Sequence, residues 1–363
     1  MATLGKMTDC RYCSQVSKAS GEDPIGSAPQ ADYWLLVEIK QPWPMSMFTE
    51  NPIIAQVIAI VRKLNLQRGI LIRPVAIAPD PDYSSPGLVR MIYYSRPAKQ
   101  FAQYHKQEYV VPEDQASQFV IELLNRLLGK QTNLSEFSAY RQDSQHLREI
   151  LVCTHTQVDL ACGRFGTPIY RQLRQTYGQQ GQPLRVWQST HFGGHRFAPT
   201  LVDLPTGLFW GHLEPNILPQ LIEHSGDHRQ MQHFYRGWAG CTQFEQIAER
   251  EAWMREGWDW FTYPRAAAEQ RKGLRGLKRF LYPVLRRIPI KVLQLWLNFW
   301  TLDARCVDVQ IEYMSAHANG LYQMTVKETD EVLSALTSPT TKGQEIKIVP
   351  TKQYCVSHLV KSI

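Results

Sequence analysis

The chain has 363 residues, of which 44% are apolar and 20% are charged. This composition is typical of a folded globular protein and excludes disordered and fibrous classes. The length predicts two or three domains of roughly 100–200 residues each. No run of about 18 uncharged apolar residues occurs, so we expect no membrane span. Because Met1–Thr8 lacks the apolar segment of a secretory signal, we expect a cytoplasmic protein.

The positive charge of the chain is concentrated in one segment. The formal net charge is +7, and between Arg265 and Lys291 nine Lys or Arg residues accompany one acidic residue, Glu269. This segment therefore carries +8, and the rest of the chain sums to −1. Such a distribution argues against a nucleic-acid-binding surface over the whole molecule and for one local docking face, and we expect no nucleic-acid partner. A solvated helix face, a docking face for a redox partner protein and contact with a membrane surface all remain open.

The first part of the chain predicts a leader followed by a regular series of elements. Residues 1–32 are rich in Ser, Gly and Pro and predict an irregular leader, which carries Cys10 and Cys13. After it, Asn51 and Pro52 mark the start of an apolar helix. The predicted strands of this series are 33–39, 70–77, 88–94 and 104–111, and a second helix begins at 112.

The same order of elements recurs farther along the chain. The predicted strands of the second series are 149–153, 184–190, 198–204 and 207–213, with helices at 167–177 and 217–222. A central sheet with a crossover helix and a closing hairpin is the thioredoxin-like arrangement. We therefore predict an α/β fold with two thioredoxin-like units in tandem, at 33–143 and 144–228. Residues 229–363 predict a Trp-rich basic helical arm followed by a small β element.

Two cysteines and two histidines of the second unit form the sharpest chemical pattern in the chain. Cys153 ends the first predicted strand of that unit, and Cys162 lies in the loop before its helix. His191 and His195 follow the second strand and enclose Phe-Gly-Gly. Because ligands bind at the carboxyl ends of parallel strands in an open α/β sheet, we expect all four side chains to meet at one sheet edge.

Two thiolates and two imidazoles suit either Zn²⁺ or an iron–sulfur cluster. The cysteines of a structural zinc knuckle are usually separated by about two to four residues. The eight residues between Cys153 and Cys162 are too many for such a knuckle. A [2Fe–2S] cluster is wider and needs one pair of ligands for each iron. A Cys pair from one loop and a His pair from another therefore favour the cluster.

The pattern Cys-x8-Cys followed by His-x3-His, with its Gly-Gly-His element, resembles the sucrase/ferredoxin-like family. Within that family it is most similar to the bis-histidine thioredoxin-like ferredoxins. The resemblance covers most of residues 10–225. It includes the leader segment 21–26 (GEDPIG), 153–155 (CTH), Asp159 and 191–198 (HFGGHRFA).

The resemblance implies a [2Fe–2S] cluster bound in the second unit alone. The implied ligands are Cys153, Cys162, His191 and His195, and the implied role is one-electron transfer or redox sensing with a redox partner protein, not catalysis by side chains. An oxidised cluster with two thiolates and two neutral imidazoles is formally neutral, whereas four thiolates leave it dianionic. We therefore expect a potential above the roughly −400 mV of plant-type ferredoxins. The residues expected to surround the ligands are His155, Asp159, Gly193, Gly194 and Arg196.

Several other interpretations remain open. Cys153 and Cys162 are also consistent with plain buried cysteines, and Cys153 with His155 is half of a Rieske motif whose other half is missing. Cys10 and Cys13 suit a thioredoxin-type dithiol, half of a zinc knuckle or a structural role. The main alternative function is a zinc-stabilised interaction module without redox activity. A sugar hydrolase is the third, although no carboxylate pair has a clear glycosidase context.

Overall fold

The computed structural model describes residues 12–274, 276–301, 304–338 and 345–362, so Cys10 lies outside the described residues. The α-helices are α1 (Cys13–Ala19), α2 (Met47–Glu50), α3 (Pro52–Lys63), α4 (Ala116–Leu127), α5 (Leu160–Thr176), α6 (Leu218–Glu223), α7 (Gln243–Glu256), α8 (Lys278–Leu285) and α9 (Lys291–Thr301). The strands are β1 (Tyr33–Glu38), β2 (Ile72–Ile77), β3 (Leu88–Ser95), β4 (His105–Pro112), β5 (Arg141–Gln142), β6 (Arg148–Cys153), β7 (Leu184–Ser189), β8 (Leu201–Leu204), β9 (Leu208–Trp210), β10 (Tyr235–Trp238), β11 (Arg265–Lys272), β12 (Cys306–Met314), β13 (Asn319–Ala335) and β14 (Ile348–Ser362). Among the described helices, none is long and apolar enough to cross a membrane.

The strands β1 to β10 form one mixed sheet in the order β10-β9-β8-β6-β7-β2-β1-β3-β4-β5. In its first half, β1 is parallel to β2 and antiparallel to β3, which pairs antiparallel with β4. The second half repeats this arrangement: β6 is parallel to β7 and antiparallel to β8, which pairs with β9. The halves join where Ile77 pairs antiparallel with Ser189. The predicted α/β class is therefore confirmed, and the two predicted series of elements share one sheet.

The large sheet bends so strongly that its two halves pack against each other. Alternate residues of β1 face different cores, as the twofold period of a strand requires. Trp34 and Leu36 belong to the core shared with the second half, whereas Leu35 belongs to the core beneath α3 and α4. The ring of Trp34 lies 5.6 Å from the ring of Phe209 in β9, although four strands separate β1 from β9 in the sheet.

Helix α5 begins earlier than the sequence pattern predicts. The Asp159 carboxylate accepts a backbone N–H of the first helical turn, and Pro168 lies inside the helix instead of opening it. Cys162 therefore lies in the first turn of α5 and not in a loop. A Cβ at Gly166 would lie 2.1 Å from the carbonyl oxygen of Cys153, so the glycine allows α5 to pack directly on the end of β6.

The two ends of the chain differ from the predicted organisation. The predicted irregular leader contains α1, and β10 extends the large sheet beyond the predicted boundary at 228. Strand β11 replaces part of the predicted helical arm, because it pairs with β12 and is anchored by Arg265. The Arg265 guanidinium is buried and lies 3.0 Å from the Glu249 carboxylate of α7. Strands β11 to β14 form a separate four-stranded sheet that contains the predicted small β element.

A buried network of charges connects distant strands of the large sheet. The Arg185 guanidinium of β7 donates to Glu108 of β4 at 2.5 and 3.0 Å and to Glu149 of β6 at 3.1 Å. Lys106 of β4 donates to the same Glu149 at 2.6 Å. Burial alone would raise the pKa of Glu108, but the hydrogen bonds and charge of Arg185 lower it to about 2. This network therefore holds the first half of the sheet against the second.

Replacement of Glu108 tests this network. We expect Glu108→Gln to lower the free energy of unfolding at pH 7 by about 3 kcal/mol, because Arg185 loses a buried partner. Since the folded-state pKa lies below the ordinary value of 4.5, the carboxylate stabilises the fold above that pH. The difference from the parent protein should narrow as the pH falls from 4.5 toward about 2. Urea unfolding over this pH range measures both effects.

Glu113→Gln is the matched control for this experiment. The Glu113 carboxylate lies 3.7 Å from Lys40, and both side chains are largely exposed. We expect a change within about 0.5 kcal/mol, which is usual for a surface ion pair. Equal stability of the Glu108→Gln and Glu113→Gln variants at pH 7 would contradict a stabilising role for the network.

Candidate functional site

The parallel pairing of β6 with β7 brings the chain segments that follow the two strands to one edge of the sheet. The register pairs Cys153 with Ser189, so both strands end at the same level. Cys153 is fully buried at the end of β6, and Cys162 is fully buried in the first turn of α5. His191 follows β7 by two residues and is partly exposed. Two sulfurs and one imidazole thus approach each other from three elements.

Three of the four predicted ligands form a compact group of donor atoms. Nδ1 of His191 lies 3.6 Å from Sγ of Cys153 and 3.8 Å from Sγ of Cys162. The three donor atoms all lie within 4.8 Å of one another. Two sulfurs and an imidazole nitrogen are ligand types that both zinc and iron accept.

The fourth predicted ligand, His195, contacts a second group of donor atoms. Its Nδ1 lies 3.2 Å from a carboxylate oxygen of Asp159 and 3.5 Å from Sγ of Cys13. These three donor atoms also lie within 4.8 Å of one another. The ring centroids of His191 and His195 are 5.4 Å apart. The four side chains thus lie at one sheet edge as two adjacent groups, with His195 at the border between them.

Ser338 contributes to the second group from the far end of the chain. Its backbone N–H and its hydroxyl donate to the Asp159 carboxylate at 2.8 and 2.7 Å. Burial would raise the pKa of Asp159, but hydrogen bonds from His195 and Ser338 hold it well below its usual value. Burial raises the pKa of the Cys13 thiol to about 12. At pH 7 the group therefore contains a charged carboxylate and a neutral thiol.

The pKa values of the two buried thiols in the first group shift in opposite directions. Burial alone would raise the pKa of Cys153, but a hydrogen bond from Cys162 and the nearby His191 hold it well below its ordinary value. The hydrogen bond to Cys153, together with burial, raises the pKa of Cys162. Cys153 is therefore the first of the two to become a thiolate, which is the form that binds a metal.

A buried arginine lies beside the segment that carries the histidines. Arg236 of β10 is fully buried, and its guanidinium donates to the carbonyl oxygens of Gly193 at 3.0 Å and Ser27 at 2.7 Å. Its guanidinium carbon lies 5.6 and 5.4 Å from the ring centroids of Phe197 and Phe209. Within the described part of the chain, no carboxylate forms an ion pair with Arg236.

The charge of Arg236 is coupled to the two thiols. Burial and the charge of Arg196 lower the pKa of Arg236 to about 9, whereas negative charge on Cys153 and Cys162 opposes this shift. Arg236 is therefore mainly protonated at pH 7, and its buried positive charge lies against the turn between the two histidines. An unpaired buried charge is unfavourable, so this arrangement favours negative charge on the donor group.

Of the two glycines between the histidines, Gly194 packs against this arginine and Gly193 against Pro29. Gly193 and Gly194 have φ angles of 106° and 81°, which place both in the left-handed region. A Cβ at Gly194 would lie 2.1 Å from an Nη atom of Arg236. The glycines thus turn the chain between the two histidines and leave space for the guanidinium.

The structure also places the other residues predicted around the ligands. The backbone N–H of His191 donates to Nδ1 of His155 at 3.4 Å, and Nε2 of His155 lies 2.8 Å from the carbonyl oxygen of Trp43. Burial lowers the pKa of His155, so this ring is neutral at pH 7 and positions the backbone of His191. Nε of Arg196 lies 3.2 Å from the Glu22 carboxylate, so this side chain is paired with a residue outside both donor groups.

Comparisons with known proteins assign the family of this chain. A family model described as sucrase/ferredoxin-like matches residues 24–237, which is more than half of the chain. The chain belongs to the sucrase/ferredoxin-like family. It is also similar to "Altered inheritance of mitochondria protein 32" of Debaryomyces hansenii, with 26% identity over 81 residues. That match covers 21% of this chain and 30% of the yeast protein's own length.

One solved structure shares a weaker likeness with this sucrase/ferredoxin-like protein. The zinc-bound form of human ERp44 is 12% identical and matches 60% of this chain and 62% of the ERp44 chain. The TM-score is 0.16, and a value this low indicates nothing about the fold or the site.

Sequence reasoning missed two residues of this sucrase/ferredoxin-like site and left a third unassigned. Arg236 lies beyond the predicted boundary at 228, and Ser338 lies more than a hundred residues farther along the chain. No local spacing connects either of them with the ligands. The one available signal was a single basic residue in the short apolar segment Tyr235–Trp238. Cys13 was noticed, but only the fold places its thiol beside Asp159.

Replacement of Gly194 tests the packing of Arg236 against the turn. We expect Gly194→Ala to lower the free energy of unfolding by more than about 3 kcal/mol, because the new methyl group displaces a buried guanidinium from its hydrogen bonds. Gly181→Ala is the matched control: its φ is also 81°, but nothing lies within 4 Å of its Cβ position. The control should cost about 1 kcal/mol, from backbone strain alone. Chemical denaturation measures both variants. An equal loss of unfolding free energy in Gly194→Ala and Gly181→Ala would show that Arg236 does not constrain the turn.

Proposed function

We propose that this protein binds a [2Fe–2S] cluster and serves in one-electron transfer or redox sensing. The observation that carries the proposal is the group in which the sulfurs of Cys153 and Cys162 and Nδ1 of His191 lie within 4.8 Å of one another. Its two cysteines are fully buried and its histidine is partly exposed, so a cluster there would be shielded but reachable by an electron. The protein is on this proposal an electron carrier, not a catalyst.

Cys153 and Cys162 would hold one iron of the cluster, and His191 and His195 would hold the other. The contact between Nδ1 of His195 and Asp159 supports His195 as a ligand, because metal-bound histidines usually donate their other ring N–H to a carboxylate or a carbonyl. Among the described residues, none forms a hydrogen bond with Nε2 of His195. Nε2 is therefore the nitrogen left for iron.

A cluster with these ligands should accept an electron more readily than one held by four thiolates. It is formally neutral when oxidised and carries one negative charge after reduction. The buried positive charge of Arg236, beside the turn that carries the histidines, favours that added negative charge. The expected potential therefore lies above the roughly −400 mV of plant-type ferredoxins.

We extend the proposal to the fold, the partner and the compartment. Each half of the large sheet has a parallel pair followed by an antiparallel hairpin in the same order, which supports two thioredoxin-like units in tandem. An electron carrier requires a redox partner protein, which we propose as the source or destination of the electron. The described cysteines are free thiols, which supports a reducing compartment such as the cytoplasm.

Metal content and colour test the proposed cluster. Protein purified without oxygen should be red-brown, absorb visible light and contain about two irons per chain. Cys153→Ser and Cys162→Ser should each lose the colour and most of the iron, because a thiolate ligand is removed. Cys355→Ser is the matched control, since this free thiol is exposed and belongs to the separate four-stranded sheet. It should retain both iron and colour.

A colourless protein with one bound zinc would contradict the cluster. That result would support the second candidate, a zinc-stabilised interaction module without redox activity. The observation that favours this candidate is the second donor group, in which Cys13, Asp159 and His195 supply one sulfur, one oxygen and one nitrogen. If zinc is bound, Asp159→Asn should release it. If the [2Fe–2S] cluster is bound, the same variant should retain the cluster.

Replacement of Arg236 tests its electrostatic role. We expect Arg236→Gln to lower the reduction potential of the cluster, because the reduced form loses a nearby positive charge. Arg236→Lys keeps the positive charge, so its reduction potential should be close to that of the parent protein. Arg174→Gln is the control, since Arg174 lies at the opposite end of α5 from Cys162 and is paired with Asp80. Redox titration monitored by visible absorption measures the potentials, and an unchanged potential in the Arg236→Gln variant would contradict this role.

A further inference from the structure

The segment after β11 combines positive charge with a lack of acidic residues. Residues 270–302 contain eight Lys or Arg and no Asp or Glu. We call residues 276–301, which include α8 and α9, the basic arm. Within it, Arg279, Arg286 and Arg287 are exposed, and none of the three forms an ion pair with a described carboxylate. Their charge is therefore available to an external partner.

The basic arm also exposes an apolar stripe at helical spacing. Relative to Leu277, which precedes α8, the next members of the stripe come three, four and seven positions later. They are Phe280, Leu281 and Val284, and exposed Ile288 follows the end of the helix. The exposed fractions of Leu277, Phe280 and Val284 are 78%, 72% and 63%. Large apolar side chains aligned along one face and left in water indicate a surface that meets something apolar.

The opposite side of the arm is fixed to the rest of the molecule. Tyr282 of α8 and Leu297 of α9 are buried in the large core, and Leu285 packs against it. The apolar residues of the arm therefore serve two purposes. One set anchors the arm, and the stripe that begins at Leu277 remains outside.

The combination of stripe and charge fits a lipid surface better than a folded protein. Helices that lie in a membrane interface have an apolar face, Lys and Arg on the polar part and exposed aromatic residues. The arm has all three, since Trp296 of α9 is 50% exposed and its ring lies 4.6 Å from that of Trp300. The positive charge without acidic residues complements the anionic headgroups of a bilayer.

We propose that the basic arm docks on the surface of a bilayer that contains anionic lipids. The apolar stripe of α8 enters the boundary between headgroups and acyl chains, and the arginines remain at the level of the phosphates. The docked arm lies on the surface of the bilayer and does not span it. The candidate cluster site belongs to the large sheet and not to the arm. It does not depend on the proposed function, because it requires neither the cluster nor a redox partner.

Binding to vesicles tests the proposal with the full chain. The protein should float with vesicles of phosphatidylcholine and phosphatidylglycerol at low salt and remain unbound with phosphatidylcholine alone. Phe280→Ser with Val284→Ser should weaken binding about a hundredfold through lost apolar contact. Arg286→Gln with Arg287→Gln should weaken it about thirtyfold at low salt, a factor of about five for each charge.

Met45→Ser with Leu88→Ser is the matched control, since these apolar side chains are 50% and 39% exposed, Leu88 belongs to β3 of the large sheet and Met45 precedes α2. The control variant should bind as the parent protein does, and circular dichroism should show that all variants are folded. Absence of binding to anionic vesicles at low salt would overturn the proposal. Equal vesicle binding by the parent protein and the stripe variant would also overturn it. The same holds if the arm binds an acidic redox protein while the chain does not bind vesicles.

Discussion

The parallel pairing of β6 with β7 is the constraint on which the candidate site depends. Because Cys153 is in register with Ser189, the chain leaves both strands at the same edge of the sheet. Only at that edge can the end of β6, the first turn of α5 and the segment after β7 meet. Gly166 keeps α5 close, since any side chain there would overlap the Cys153 carbonyl. The register of β6 with β7 and the close packing of α5 on β6 thus bring the donor atoms together. The same packing buries the two thiols.

The electrostatic character of the site is set largely by residues outside the ligand segments. Arg236 of β10 places a buried positive charge beside the turn between the histidines, while Asp159 holds a buried negative charge beside His195. Both charges act through a poorly screening interior, so their influence is stronger than that of surface groups. The thiol side of the site therefore favours anionic ligands, and the His195 side favours an imidazole that keeps an N–H toward the carboxylate.

The local patterns predicted the elements of the fold better than their boundaries and partners. Apolar periodicity and the Asn51 cap act over a few residues, and the helix after Asn51 starts as predicted, with Asn51 Oδ1 accepting two backbone N–H groups. The start of α5 predicted from Pro168 was wrong, because the Asp159 cap begins the helix earlier and the proline lies inside it. The strand at Arg265–Lys272 also escaped prediction, since its formation depends on pairing with a distant strand.

The sequence by itself determined the alternating α/β elements, the family resemblance and the donor types offered by Cys153, Cys162 and His191. These follow from residue chemistry and short spacings, which any chain of this sequence carries before it folds. Only the tertiary structure decided that His195 contacts Asp159 and Cys13, and that a buried Arg236 lies against the turn between the histidines. These contacts join segments far apart in the chain, so they depend on the bending of the sheet and on which side chains it brings into one buried volume.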